Sequence, residues 1–361
     1  MDRRKFVANS TVGGAAALMA GSAFAQSPEI RWRCASSYPK SLDTVFNAPQ
    51  IVADYVAKVT GGKFQISLHA AGELVPAFGV LDAVSNANVE CGHTASFFYW
   101  GKDPSLVFDY TVPFGMNTRQ YMAWYQYGEG RSLIQGSMRD HGIVSFACGN
   151  FGAQMGGWFR KEIKSMADLK GMKMRIGGFS GAVFSKVGGV PQSIPAGEIY
   201  PSLERGVIDS AEWVGPYDDE KLGLSKVAKY YYYPGWQEGS GQLSFYINQQ
   251  KFEALPPEYK ALLEMACQAA TLLTLNKYDH VNPAAIRRLV GSGAQLKAFP
   301  KEVLAGLYKA SKEVLEEYSA KNEKFKRLYD SYRQYQASIT PWFTLGEMSY
   351  DRLIEDSLRT K

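Results

Sequence analysis

The chain has 361 residues, 46% hydrophobic and 21% charged, enough for two globular domains and unlike a disordered or fibrous chain. Its formal net charge is +5 with no basic stripe, which gives no support to nucleic-acid binding. Aromatic residues make up 13%, as expected of an aromatic-lined pocket or of a Tyr-rich core.

Residues 1–25 read as an export signal. Arg3, Arg4 and Lys5 form a positive start, Thr11 to Phe24 is small and apolar, and Ala23-Phe24-Ala25 fits a cleavage site, so the mature chain starts at Gln26. Arg3-Arg4 followed by Phe6 is similar to a twin-arginine signal. The apolar run is short for a bilayer span, and no later stretch holds 18 apolar residues in a row. Cys34, Cys91, Cys148 and Cys267 are widely spaced and read as buried free thiols. The four His show no metal-ligand spacing.

Ile30–Ser37 reads as a strand, 43–59 as a helix stopped by Gly61-Gly62, and 64–70 as an alternating strand. A helix to about Asn86 and a strand at 89–94 follow, which predicts an α/β lobe with a mainly parallel sheet. The aromatic run 96–103 then either lines a site beyond the strand ends or fills a core. Residues 120–139 look helical and 143–148 extended, and 156–160 reads as a strand or crossover. From about 150 to 238 the α/β rhythm repeats, with strands at 172–176, 191–194 and 207–213. Pro256–Arg288 is one long helix that Pro283 should kink or break. A helix over 301–319, an apolar stripe over 323–335 and an apolar tail after Pro341 complete the chain.

No G-x-S-x-G, H-E-x-x-H, P-loop or G-x-G-x-x-G motif is present, so the chain does not read as an enzyme. Asp218-Asp219-Glu220 reads as a solvated helix start. Arg175 and Glu212 stand in apolar stretches, and we expect them to face each other across a cleft. Arg offers a planar fork matched to a carboxylate. A buried Glu212 needs a partner. Placed about 4 Å from a bound carboxylate, it would repel it by about 4 kcal/mol at an effective dielectric near 20. A cation bridging both would remove that cost, and oxygen ligands suit a hard ion rather than Zn²⁺. The alternative is an ion pair of Glu212 with Lys173 or Arg175 and no metal.

Seven blocks carry a resemblance over nearly all of the mature chain: ASSYPKSLDTVF (35–46), AGELVPAF (71–78), FYWGKDPS (98–105), QMGGWFRKEI (154–163), GMKMRIGGFSG (171–181), EWVGPYDDEKLG (212–223) and YYYYPGWQEG (230–239). They resemble the solute-binding receptors of tripartite ATP-independent periplasmic (TRAP) transporters, in particular the 2-oxo-acid and lactate-binding branch. The resemblance implies a two-lobed α/β periplasmic-binding-protein-like fold, with hinge strands and a long helix spanning both lobes. Lobe I would take 26–149 and about 239–280, lobe II 150–238 and about 281–340, with 341–361 a tail suited to dimerisation. It implies a periplasmic receptor for a small 2-oxo or 2-hydroxy monocarboxylate bound in the interlobe cleft beside Na⁺ or Ca²⁺. Arg175 would hold the carboxylate. Gln154, Glu212 and the backbone oxygen of Trp213 would ligate the ion, with Glu238 a further candidate for the same site. Tyr99 and Asn150 would be pocket donors. Phe97 and Phe98 stand where relatives often have Tyr, and Gln237 replaces a Trp, which bears on the side chain the pocket accepts. The implied partners are the small and large membrane subunits of a transporter and a second copy of the chain, joined by exchanged C-terminal helices. Two alternatives stay open from sequence: a sensory receptor feeding a signalling system, and a secreted metal-dependent enzyme acting on oxo acids.

Overall fold

The computed structural model describes residues 28–359, so the export signal read at 1–25, with its twin-arginine pair, lies outside the described residues. In the first lobe, strands β1 (Ile30–Ser36), β2 (Phe64–His69), β3 (Cys91–Thr94) and β4 (Ile143–Asn150) alternate with helices α1 (Ala48–Val59), α2 (Val80–Ser85), α3 (Thr118–Tyr127) and α4 (Gly130–Arg139). The second lobe runs β5 (Gly157–Phe159), β6 (Lys173–Arg175), α5 (Gly178–Lys186), β7 (Val190–Gln192), α6 (Ala196–Glu204), β8 (Ser210–Ala211), α7 (Pro216–Lys221) and β9 (Tyr230–Tyr233). The chain then returns through β10 (Gln242–Asn248), α8 (Gln249–Glu253) and the long α9 (Pro257–Gly291). It ends with β11 (Gln295–Ala298), α10 (Lys301–Lys321), α11 (Glu323–Phe343) and α12 (Ser349–Arg359).

Two sheets result, in the orders β2-β1-β3-β10-β4 and β11-β9-β5-β8-β6-β7. In the first, β1 runs parallel to β2 and β3, while β10 is antiparallel to β3 and β4. The sheet is therefore mixed rather than mainly parallel. Its antiparallel member is β10, which enters directly from the second lobe without a crossover helix. All seven residues of β10 are buried, so it shows none of the alternation that marks a half-exposed strand.

The long helix has 35 residues and runs through Pro283 without the break that was one of the two expected outcomes. Pro283 lies on the exposed side, where water can satisfy a carbonyl that has lost its donor. The helix packs on β4 and α1 in one lobe and on α7 in the other. The Thr271 hydroxyl accepts from the Gly149 amide at 3.1 Å, and the Tyr278 hydroxyl donates to Asp218 Oδ2 at 2.6 Å. One rigid rod thus ties both lobes to the segments that cross between them.

The stretch read as one helix over 120–139 is two, parted where the Gly128 amide caps on Trp124 O. The helix α11 continues through Pro341 to Phe343. The four cysteines are free and buried, as expected. No helix among the described residues is long and apolar enough to cross a membrane.

Candidate functional site

Parallel pairing of β6 with β8 sets Arg175 opposite Ala211, and the Glu212 amide donates to Arg175 O at 3.1 Å. The backbone therefore fixes Arg175 and Glu212 side by side on the second sheet, at the carboxyl end of β6, and not across the cleft from each other as expected, because β6 and β8 are neighbouring strands. Arg175 Nη1 donates to Glu212 Oε1 at 2.5 Å and to Glu212 O at 2.6 Å, and Nε donates to Ile194 O at 3.2 Å. The guanidinium carbon lies 4.8 Å from the centre of the Trp213 ring. Each residue is only 2% exposed. Burial pushes the Glu212 carboxyl up to about 7, against the opposing pull of Arg175. The ion-pair alternative raised from sequence is thus present, and any cation has to be accommodated beside it.

Gln154 sits between β4 and β5. Its Nε2 donates to Glu238 Oε2 and, at 3.3 Å, to the Tyr110 hydroxyl. Tyr110 in turn donates to Glu238 Oε2 at 2.5 Å. Burial first, and then the neighbouring Glu212, hold the Glu238 carboxyl well above the ordinary range. Gln154 Oε1 is buried with no hydrogen-bond partner among the described residues, and so is Trp213 Nε1. The site therefore carries one unused acceptor and one unused donor. A hard cation suits the first. No group of three or more His, Cys, Asp or Glu able to hold a metal occurs among the described residues, so ligation here has to draw on amide and main-chain oxygens.

Tyr38, Phe97, Phe98, Tyr110, Phe151 and Trp213 wall the cavity around Arg175, Glu212 and Glu238, leaving ≈ 20 Å³. That is room for about one water molecule. The lobes meet closely there. Phe97 follows β3 of the first sheet and packs on the Gly177-Gly178 turn after β6 of the second, where a Cβ on Gly177 would come within 2.3 Å of the Phe97 ring. Asp43, in the loop after β1, also reaches across, taking Lys221 and the Tyr217 hydroxyl (3.2 Å) of α7 together with Lys277 (3.0 Å) of α9.

Two expected pocket donors lie elsewhere. The Tyr99 hydroxyl is shared with Thr94 Oγ1 at 2.8 Å and with the Leu81 amide inside the first lobe, and Tyr99 does not line the cavity. Asn150 spends its amide on Ser240 and Gln242, and its Oδ1 on Thr118 and Gly152. It braces the crossing strands. Tyr38 and Tyr110 line the cavity and were not singled out from sequence. With 22 Tyr in the chain, no single one stands out; Tyr38 follows the end of β1, which is a signal, whereas Tyr110 follows a short helical turn at Pro104–Asp109 and carries none.

Residues 35–322 match the family described as bacterial extracellular solute-binding protein, family 7. The chain belongs to this family. These are solute-binding receptors rather than enzymes, and membership places the chain outside the cytoplasm, in the periplasm. A monocarboxylate 2-oxoacid-binding periplasmic protein from Nostoc is 46% identical over 330 residues, which cover 91% of this chain and 90% of the relative. A TRAP transporter solute-binding protein from Bordetella bronchiseptica, solved as a mixed-occupancy dimer with calcium and picolinate in one site, is 48% identical with a TM-score of 0.91. The match covers 92% of this chain and 100% of that one. A second solved TRAP receptor, from Pseudoalteromonas atlantica with sodium and pyruvate, is 36% identical with a TM-score of 0.87, covering 90% and 99%.

The acidic run after the cleft loop of this family-7 receptor departs from expectation. Asp218 and Asp219 are buried, not solvated. Asp219 Oδ2 accepts from the Tyr231 hydroxyl at 2.6 Å and from Trp158 Nε1 at 2.9 Å, while Asp218 is bound to Tyr278. The first turn of α7 is wedged between the second sheet and α9, so its carboxylates pin the Trp213–Gly215 loop. Burial raises them to about 7 and about 6.

Asp109, under the first sheet, is likewise raised to about 7 by burial, with Ser244 at 2.7 Å and Ser145 at 3.2 Å opposing. Its folded value lies above the unfolded one, so the folded state holds the extra proton. The contribution of Asp109 to stability is then greatest below about pH 4 and falls as pH rises to about 7. Asp109→Asn, a neutral mimic, should flatten that fall by at most about 4 kcal/mol. Thermal unfolding of both proteins at unit pH steps from 4 to 8 reads it, and parallel profiles would contradict it.

Proposed function

We propose that this protein captures a small 2-oxo or 2-hydroxy monocarboxylate such as pyruvate, together with Na⁺ or Ca²⁺, and hands it to the small and large membrane subunits of a TRAP transporter. The observation that supports this most is a 2%-exposed arginine facing an aromatic cavity between two lobes, beside an unpaired buried amide oxygen. Arg175 would orient the carboxylate, and Trp213 Nε1 is a donor within reach of the same wall. Gln154 Oε1, Glu212 and the Trp213 carbonyl would hold the ion, with Glu238 steadying Gln154. When bound, the ion supplies positive charge between two carboxylates. Tyr38 and the phenylalanines exclude water and limit the ligand's side chain.

The division into lobe I (26–149 and about 239–280) and lobe II (150–238 and about 281–340) is our reading. It is supported by β1–β4 and β10 sharing one sheet and β5–β9 with β11 sharing the other, except that α11 packs on α3 and α4, with the Tyr332 hydroxyl accepting from the Met116 amide at 2.7 Å, and so goes with lobe I. Homodimerisation through the C-terminus is supported by α12, on which Leu353, Ile354 and Leu358 are exposed, and by exposed Trp342 and Leu345 before it.

Thermal unfolding with pyruvate, lactate and longer 2-oxo acids, each with and without Na⁺ or Ca²⁺ after chelation, tests the reading. Acid plus cation should raise the midpoint by several degrees. Ligand at 100 times its Kd adds about 2.7 kcal/mol. No shift with any acid and cation would reject it.

A further inference from the structure

The contact between Arg175 and Glu212 has a consequence for the order of charge neutralisation, resting on the receptor reading above. Arg175 is the sole cationic side chain lining the cavity among the described residues. Its Nη1 is already bound to both the side chain and the main chain of Glu212. Pairing of β6 with β8 keeps the two residues adjacent, and the guanidinium is also bound to the main-chain oxygens of Glu212 and Ile194, so an incoming acid meets an arginine still beside Glu212. The acid has to join an existing pair. One guanidinium then faces two carboxylates in a space walled by aromatic rings. Glu238 is a third carboxyl in the lining, but it is engaged by Tyr110 and Gln154 and burial favours its neutral form, so the two charges to be offset are those of Glu212 and the acid.

We infer that Glu212 is a built-in competitor for Arg175, and that this competition, rather than ion ligation alone, makes acid capture depend on a cation. Added positive charge offsets the extra carboxylate. Removing the charge of Glu212 leaves the same balance: one guanidinium and one acid. Glu212→Gln keeps the shape and keeps an oxygen to accept from Nη1. A residue that served only as an ion ligand would behave in the opposite way, since losing it would lose the ion and the acid together. Glu212→Asp keeps the charge and hence the competition.

The test is titration of the full mature chain with pyruvate at pH 9.5, where a proton on Glu212 no longer stands in readily for the cation, in sodium-free, chelator-treated choline chloride and then with NaCl or CaCl₂ supplied. Binding is read by calorimetry and folding by circular dichroism. In wild type the cation should tighten pyruvate at least about 100-fold, since each factor of ten is about 1.4 kcal/mol and two buried like charges are costly. Glu212→Gln should bind pyruvate without any cation, within about tenfold of cation-supplied wild type, and gain less than about threefold from Na⁺ or Ca²⁺. Glu212→Asp should keep the cation requirement. A folded Glu212→Gln that binds in neither condition, a wild type indifferent to cation, or a cation-independent Glu212→Asp would each overturn the inference while leaving an acid receptor in place. If wild type binds no pyruvate even with cation, the receptor reading falls first and the inference with it.

Discussion

Arg175→Met should raise the dissociation constant for pyruvate by about 100- to 1000-fold in the presence of cation, because truncating one partner of a buried, hydrogen-bonded charge pair costs about 2–5 kcal/mol. The substitution removes two bonds to Glu212 and one to Ile194, and strips the cavity of its cation. The fold should survive. Glu212 is already held near 7 by burial, and loss of the opposing arginine moves it higher, so it takes a proton instead of standing as a buried anion. Breaking the pair still costs stability, and the melting midpoint should drop by several degrees with the far-ultraviolet spectrum unchanged. Added cation should still improve binding in the variant but should not restore wild-type affinity, since a cation without the guanidinium leaves the carboxylate unoriented. Unchanged affinity would remove Arg175 from the site.

Why Arg175 and Glu212 were legible in the sequence, and other parts of the site were not, follows from what each residue contrasts with. A charged side chain inside an apolar stretch declares its burial, and two such residues of opposite sign on short neighbouring strands invite pairing. Asp218 and Asp219 declare nothing of the kind. A carboxylate after a proline at a helix start is the ordinary signature of a solvated first turn, and only the packing of α7 against α9 and the second sheet shows otherwise. Tyr99 was drawn into the pocket by its place after β3, but the neighbours that enter are Phe97 and Phe98, because the short turn at Ser96–Tyr99 points Tyr99 back at Thr94. The strands β9 and β10 were missed for a related reason. A run of four tyrosines and a strand buried on both faces have no alternation, and pairing with partners far along the chain decides their conformation.

Gly178→Ala should weaken acid binding by at least about tenfold, because it opposes closure rather than touching the ligand. Gly178 has φ +57°, and a Cβ there would lie 2.6 Å from Phe97 Cδ2 and 2.8 Å from Phe97 O. The left-handed backbone costs an alanine about 1 kcal/mol whether the lobes are open or shut. The clash exists only when they are shut, and the carbonyl oxygen cannot swing aside as a side chain could. Gly177→Ala separates the two costs. Its φ is −96°, which alanine tolerates, while its Cβ would meet Phe97 Cε2 at 2.3 Å. Phe97 is itself wedged against Phe98 and Tyr110, with ring centres 4.4 and 4.5 Å away, so it yields little. Gly177→Ala should therefore weaken pyruvate with no loss of thermal stability in the absence of ligand, and adding Phe97→Ala should restore part of the affinity. Small-angle scattering in saturating pyruvate and cation should show both glycine variants more extended than wild type. Wild-type affinity and wild-type dimensions in Gly177→Ala would mean that the turn after β6 does not bear on closure.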